Sequence, residues 1–354
     1  MILIDLIHKE KRIIKKLQAL LAAFLITTIL LPACAPAVDC ARKDVFCVGL
    51  VTNRGKINDK AFNQSAWEGI QQAQKELGAQ VQYIETANSK DYAKNIATFG
   101  DAGYDVIVTV GFALRQATIA AAAKYPEVDF IGVDQFQMET VDGVAGLNFP
   151  EDKAGFLAGA LAEMMSKNHK IGAVCSTDSI PSIWRYGEGY KAGAAYADQL
   201  QSINTEVSVV YHEDNDKAFI DSEWGESTAH SMINEGADVV FGCGGDTGNS
   251  AIIAAAQADA YVIGIDTDQY LTLPEAAPHM LSSAVKLIPP GVFDLIKLSK
   301  AGTFPSGNYF GNVGYAPFHD LENEVPTDVK DEMEKINTGL LDGSIETDVP
   351  STKP

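Results

Sequence analysis

From position 45 onward the chain alternates short β-branched runs with longer stretches of helical periodicity, the pattern of a parallel sheet covered by helices. Residues 47–52 (CVGLVT), 81–86 (VQYIET), 105–111 (DVIVTVG) and 129–134 (DFIGVD) read as strands. Between the first two, Phe62, Ala66, Ile70, Ala73 and Leu77 fall on one helical face, with Asn58 as the expected cap, Asp59 as the start and Gly78 as the stop. Further helices are expected at 92–103 and, alanine-rich, at 114–125. The order then repeats, with strands at 170–176, 207–212, 238–245 and 261–266 and helices around 188–200, 227–236 and 250–258. AGYDVIVTVG (102–111) echoes EGADVVFGCG (235–244), and FIGVDQ (130–135) echoes VIGIDTDQ (262–269). Asp105 to Asp134 spans 29 positions and Asp238 to Asp266 spans 28, so the chain carries two copies of one α/β design.

The first 33 residues follow another pattern. Lys9, Lys11, Arg12, Lys15 and Lys16 precede an apolar run of 15 residues at 17–31, shorter than the about 20 a spanning helix needs. Residues 1–33 therefore read as a signal peptide. Leu31-Pro32-Ala33-Cys34 resembles the lipobox of bacterial lipoproteins, which makes Cys34 the expected lipid attachment and 34–44 a tether. The expected location is the extracytoplasmic side of the cell membrane, held by lipid.

Charge changes the picture of partners. The whole chain has 27 basic and 47 acidic residues, a net −20; without 1–33 the balance is 22 against 45, or −23. Such a polyanion is repelled by nucleic acid and by anionic membrane surfaces. Cys40, Cys47, Cys175 and Cys243 lie in a compartment that permits disulfides, and the sequence does not choose among their three pairings. For Cys175 and Cys243, at the ends of neighbouring strands, free buried thiols are favoured over a disulfide. The six His are scattered and no Cys/His cluster has zinc spacing, so neither a metal nor a cofactor is expected.

Open α/β sheets bind ligands beyond the carboxyl ends of their strands, where strand order switches. The residues to weigh are thus Asn53, Phe62, Gly111, Phe112, Asp134, Asp178, Phe219, Gly244, Gly245, Asp266 and Lys286. Asp134 and Asp266 occupy equivalent strand ends, where a carboxylate suits a sugar diol but also suits a turn. Phe62 belongs to a buried helical face yet lies in the first turn, where a ring can stack on a flat ligand. Phe219 stands in the polar stretch EDNDKAFID with no apolar stripe to join. GCGGDTGN (242–249) lacks the spacing of phosphate loops and reads as a backbone turn that an uncharged ligand can approach. Lys286 alone reads as a solvated side chain. No nucleophile or acid/base set can be assembled, so no catalytic residue is expected.

INDKAFNQSAWEGI (57–70), GVDQ (132–135), GIDTDQ (264–269), LNFPEDKAGFLAGALA (147–162) and LSSAVK (281–286) resemble the basic membrane protein family of bacterial lipoproteins, purine nucleoside receptor-like substrate-binding proteins of ABC importers. The resemblance runs from about Phe46 to Asp342. It implies a type I periplasmic-binding-protein fold, two doubly wound parallel-sheet lobes joined by a hinge of three crossings. The expected division is 45–148 plus about 268–300 for lobe 1, 149–267 plus about 301–345 for lobe 2, and a tail at 346–354. It places base-stacking aromatics on Phe62 and Phe219, ribose contacts on Asp266 and Lys286, a backbone contact near Gly244, and further contacts on Asn53, Asn63 and Asp134. Asn53 replaces the family's usual Asp, and Asp246 stands where the family prefers small uncharged residues. The implied function is capture of a nucleoside, a purine first, by a monomer that delivers it to an ABC permease. A receptor of the same fold for a flavin or a sugar, and a sensor, are the alternatives; an enzyme is not expected.

Overall fold

The computed structural model describes residues 39–353; the expected signal peptide, Cys34 and the first part of the tether lie outside them. Two six-stranded sheets follow the two halves of the repeat. β1 (Cys47–Arg54), β2 (Gln80–Thr86), β3 (Val106–Val110), β4 (Asp129–Val133) and β5 (Val144–Asn148) form the first, and β6 (Lys170–Cys175), β7 (Glu206–Tyr211), β8 (Val239–Cys243), β9 (Tyr261–Asp266) and β10 (Met280–Lys286) the second. β11 (Gly307–Phe310) then adds to the first sheet and β12 (Val313–Tyr315) to the second. The orders are β2-β1-β3-β4-β5-β11 and β7-β6-β8-β9-β10-β12. All pairs are parallel except β12, which runs antiparallel to β10. Every residue of β3 and β8 is buried, because helices cover both faces; these strands therefore read as unbroken apolar runs rather than as alternation.

The division into lobes differs from the expected one. Met280–Lys286 pairs with β9 and belongs to the second sheet, while Gly307–Phe310 pairs with β5 and belongs to the first. The repeating pattern predicts four strands in each half, the last ending at Asp134 and Asp266, but each half carries a fifth strand beyond that point, β5 and β10. The helix Ile288–Lys300 does pack on lobe 1, where a Cβ at Gly69 would lie 2.5 Å from Pro289 O. The chain thus crosses between lobes after Asn148, after Lys286 and between β11 and β12.

Two helix starts also shift. The first helix runs Phe62–Leu77, and its free N–H groups are met by Asp59 rather than Asn58: Asp59 Oδ1 accepts from Ala61 and Gln64 (both 3.1 Å) and Oδ2 from Asn63 (2.9 Å). One carboxylate satisfies the cap N–H of Ala61 and two first-turn donors, which a single amide oxygen could not. The helix expected from 250 begins at Gly245 and runs Gly245–Gln257, directly after Gly244 at φ 109. Asp246 is consequently an exposed first-turn residue, where negative charge suits the helix dipole, and not a loop residue facing a ligand.

In lobe 2 the helices Glu151–Met165 and Pro181–Gln201 pack backbone to backbone. A Cβ at Gly159 would lie 1.9 Å from Tyr190 O, and one at Gly193 would lie 1.9 Å from Phe156 O. This spacing sets the two helix starts side by side, which places Glu151 next to Arg185. Cys40 and Cys47 form a disulfide, while Cys175 and Cys243 are free, buried and directly opposite in the β6–β8 register. The tail beyond 346 lies on lobe 2, with Thr347 Oγ1 2.6 Å from Asp152 Oδ2 and Lys353 Nζ 2.6 Å from Asp178 Oδ2. Among the described residues no helix is long and apolar enough to cross a membrane.

Candidate functional site

The carboxyl ends of the two sheets meet. Lys286, the last residue of β10, sets Nζ 2.6 Å from Oδ2 of Asp134, just past β4 in the other lobe. The same Nζ lies 2.9 Å from Glu151 Oε1, and Glu151 Oε2 receives the Arg185 guanidinium, Nε at 2.8 Å. Tyr186 donates its hydroxyl to Asp266 Oδ1 at 3.3 Å. The rings of Phe62, Phe149 and Tyr186 stand 5.4, 5.5 and 5.5 Å from the ammonium. Lys286 is therefore not the solvated side chain its residue type suggests; it is 3% exposed.

Two cations here face three carboxylates, Asp134, Glu151 and Asp266. Burial pushes Asp134 up to about 6 despite the pull of Lys286, and does the same to Asp266. Burial also raises Glu151, but Lys286 and Arg185 more than offset it and hold its pKa below the ordinary value. Lys286, which burial alone would push down, is held above its ordinary value by Asp134, Glu151 and Asp266. Asp134 Oδ1 is buried with no partner, an acceptor aimed at nothing in the protein.

Asp134 and Asp266 share one conformation, φ 56 and φ 64, a left-handed bend uncommon outside glycine. In each lobe a glutamine downstream of the Asp ties the strand ends beneath it. Gln135 Nε2 donates to Thr109 O (3.1 Å) and Gly111 O (3.1 Å), while Gln269 Oε1 accepts from Ile265 N (2.9 Å). The DQ echo in the sequence is this pair of braced bends. The aromatic candidates are paired likewise. A Cβ at Gly111 would meet Phe62 Cε1 at 3.6 Å and Asn53 Nδ2 at 3.5 Å, and one at Gly245 would meet Phe219 Cβ at 3.0 Å. Phe62 and Phe219, both half-buried, thus stand beside equivalent turns of opposite lobes.

Asn63 is occupied within lobe 1. Its Nδ2 donates to Asn53 Oδ1 (2.8 Å) and Lys56 O (3.2 Å), and its Oδ1 accepts from Asn53 N (3.3 Å). It sets the position of Asn53. Phe112 is exposed at the rim. The rim itself is bridged by Arg54 Nη1 to Asp216 O (3.0 Å) and Thr272 Oγ1 to Lys60 O (2.7 Å), so the lobes lie closed on each other. Glu151, Arg185 and Tyr186 were not singled out from the sequence. The signal for Glu151 was its place just past a strand end, hidden because β5 was not recognised. Among the described residues no group of three or more His, Cys, Asp and Glu is placed to hold a metal ion.

Residues 46–311 match the family model described as ABC transporter substrate-binding protein PnrA-like. The ABC transporter nucleoside-binding protein BmpA of Lactococcus lactis is 31% identical over 320 residues, covering 84% of this chain and 87% of that protein. Basic membrane protein A of Borreliella burgdorferi is 26% identical over 309 residues, covering 84% and 86%. An ABC transporter solute-binding protein of Aeropyrum pernix superimposes with a TM-score of 0.74 at 23% identity, over 85% of this chain and 92% of that one.

Proposed function

We propose that this chain, which belongs to the PnrA-like family of ABC transporter substrate-binding proteins, captures a nucleoside, a purine first, between its lobes and delivers it to an ABC importer. The observation that carries this reading is the buried Lys286 cluster at the meeting of the strand ends, which combines carboxylate acceptors with a fixed ammonium. Carboxylates that accept and an ammonium that donates suit the vicinal hydroxyls of a ribose. In this reading Asp266 and Lys286 hold the ribose, Phe62 and Phe219 stack on the base, and Asn53 with Asp134 reads its polar edges. Asp134 Oδ1 supplies an acceptor that awaits a donor. Asn53 turns Oδ1 to Asn63 Nδ2, so it offers its own Nδ2 as a donor to the base edge. Gly244 offers backbone, and Asn63 holds Asn53 in place. The name of the Lactococcus relative supports the ligand class.

The protein works in this reading as a monomeric receptor and not as an enzyme, held outside the membrane through lipid on Cys34. Calorimetric titration with a panel of nucleosides, bases, sugars and flavins tests it: saturable binding of a purine nucleoside is expected, and no binding of any nucleoside at millimolar concentration overturns it.

A further inference from the structure

In each sheet strand order reverses between the first and third strands of the lobe, β1 and β3 in one and β6 and β8 in the other. The crevice at such a reversal is where open α/β sheets hold ligands. In lobe 1 its two walls are Asn53, the next-to-last residue of β1, and Gly111, after β3; a Cβ at Gly111 would meet Asn53 Cβ at 3.3 Å. In lobe 2 the corresponding walls are Ser176, after β6, and Gly244, after β8; a Cβ at Gly244 would meet Ser176 Oγ at 2.5 Å. Gly111 and Gly244 share a backbone that only glycine adopts readily, φ 102 and φ 109. Ser176 is therefore the counterpart of Asn53 in the second copy of the design.

Its backbone is fully engaged, N–H to Cys243 O at 2.8 Å and C=O from His212 N at 3.1 Å. Its side chain is not: Oγ is buried, on a residue with no exposure, and has no partner. A buried hydroxyl left unpaired costs about 1–3 kcal/mol, a cost that a hydrogen-bonding group entering the crevice would remove. The geometry points to Ser176 as a ligand contact that hydrogen-bonds a sugar hydroxyl from the lobe 2 side. This rests on the nucleoside reading above. The partner is neutral, because the neighbouring cluster already holds three carboxylates against two cations, a surplus that repels phosphate. A sugar hydroxyl can donate to Oγ or accept from it, whereas a carboxylate only accepts and an ammonium only donates.

The test is a cycle of Ser176→Ala against the 2′-, 3′- and 5′-deoxy analogues of the nucleoside that the wild-type chain binds, read by calorimetry. Ser176→Ala is expected to weaken the ribonucleoside about fivefold to tenfold, the size of one neutral hydrogen bond, and to leave one of the three deoxy analogues unaffected. Equal affinity in variant and wild type overturns the contact while leaving nucleoside binding intact. An equal loss for all three analogues assigns Ser176 to packing and overturns it too. If the wild-type chain binds no nucleoside, the functional reading fails and this contact falls with it.

Discussion

Lys286 Nζ lies 2.6 Å from Asp134 Oδ2, a contact between the last residue of a lobe 2 strand and the strand-end bend of lobe 1. Both side chains are buried, and Glu151 shares the same ammonium. Removing one partner of such a set leaves uncompensated charge in a poorly solvated place. Lys286→Met is expected to destabilise the protein by about 3–5 kcal/mol, read from urea unfolding at pH 7. Restoring part of that loss by adding Asp134→Asn would show that the stranded carboxylate is the cause.

Asp266 reverses the sign. Its folded pKa, about 6, lies above the ordinary carboxylate value, so the native state holds the proton more tightly than the unfolded chain. The stability it contributes is complete below about pH 4 and is lost as pH rises through 6. Asp134 acts in the same sense, as does Glu163, which burial and then Asp198 push up to about 7. The wild-type chain should unfold at lower urea at pH 7 than at pH 5.5. Asp266→Asn should flatten that slope and raise stability at pH 7 by about 1 kcal/mol or more, while abolishing nucleoside binding.

Phe62 is half-buried and packs beside the Gly111 turn. Phe62→Ala should weaken nucleoside affinity by roughly tenfold or more if the ring stacks on a base. Unchanged affinity with lowered stability would return the ring to the core.

The helix pair of lobe 2 tolerates no side chain at its contact. Gly159→Ala would put a methyl 1.9 Å from Tyr190 O and is expected to cost about 1–3 kcal/mol or more in urea unfolding. It should also weaken ligand binding, because the same packing sets Glu151 beside Arg185.

Cys175 and Cys243 should resist alkylation in the folded chain and react once it is unfolded without reductant, while Cys40 and Cys47 should react only after reduction. Mass measurement reads both. Labelling of Cys175 or Cys243 in the native state would contradict their burial.

Much of this was legible because the repeat is written twice. The echo of FIGVDQ and VIGIDTDQ marked two strand ends, and both became braced bends with a carboxylate at the cleft. What escaped was non-local. Val144–Asn148 is a five-residue strand without flanking alternation, which hid Glu151 just past it, and the pairings that set the later lobe boundaries, Met280–Lys286 with the second sheet and Gly307–Phe310 with the first, join residues far apart in the chain. Lys286 looked solvated because nothing in LSSAVK announces carboxylates from residues 134 and 151. Gly155 and Gly159 of GFLAG fix an interhelical distance that only the folded pair reveals. Asn63 belonged to the right motif but serves its neighbour Asn53.

Lys286 also ends β10 one residue before the chain crosses to the helix Ile288–Lys300. In a pair of pincers a point beside the rivet sweeps a short arc and a point on the jaw a long one. Any rotation of the lobes about these crossings moves the Lys286–Asp134 contact little, while Arg54–Asp216 and Thr272–Lys60 at the rim part first. The ion pair is thus placed to survive opening, so each cycle of capture and release would break the rim bonds first and leave the cluster's charges paired.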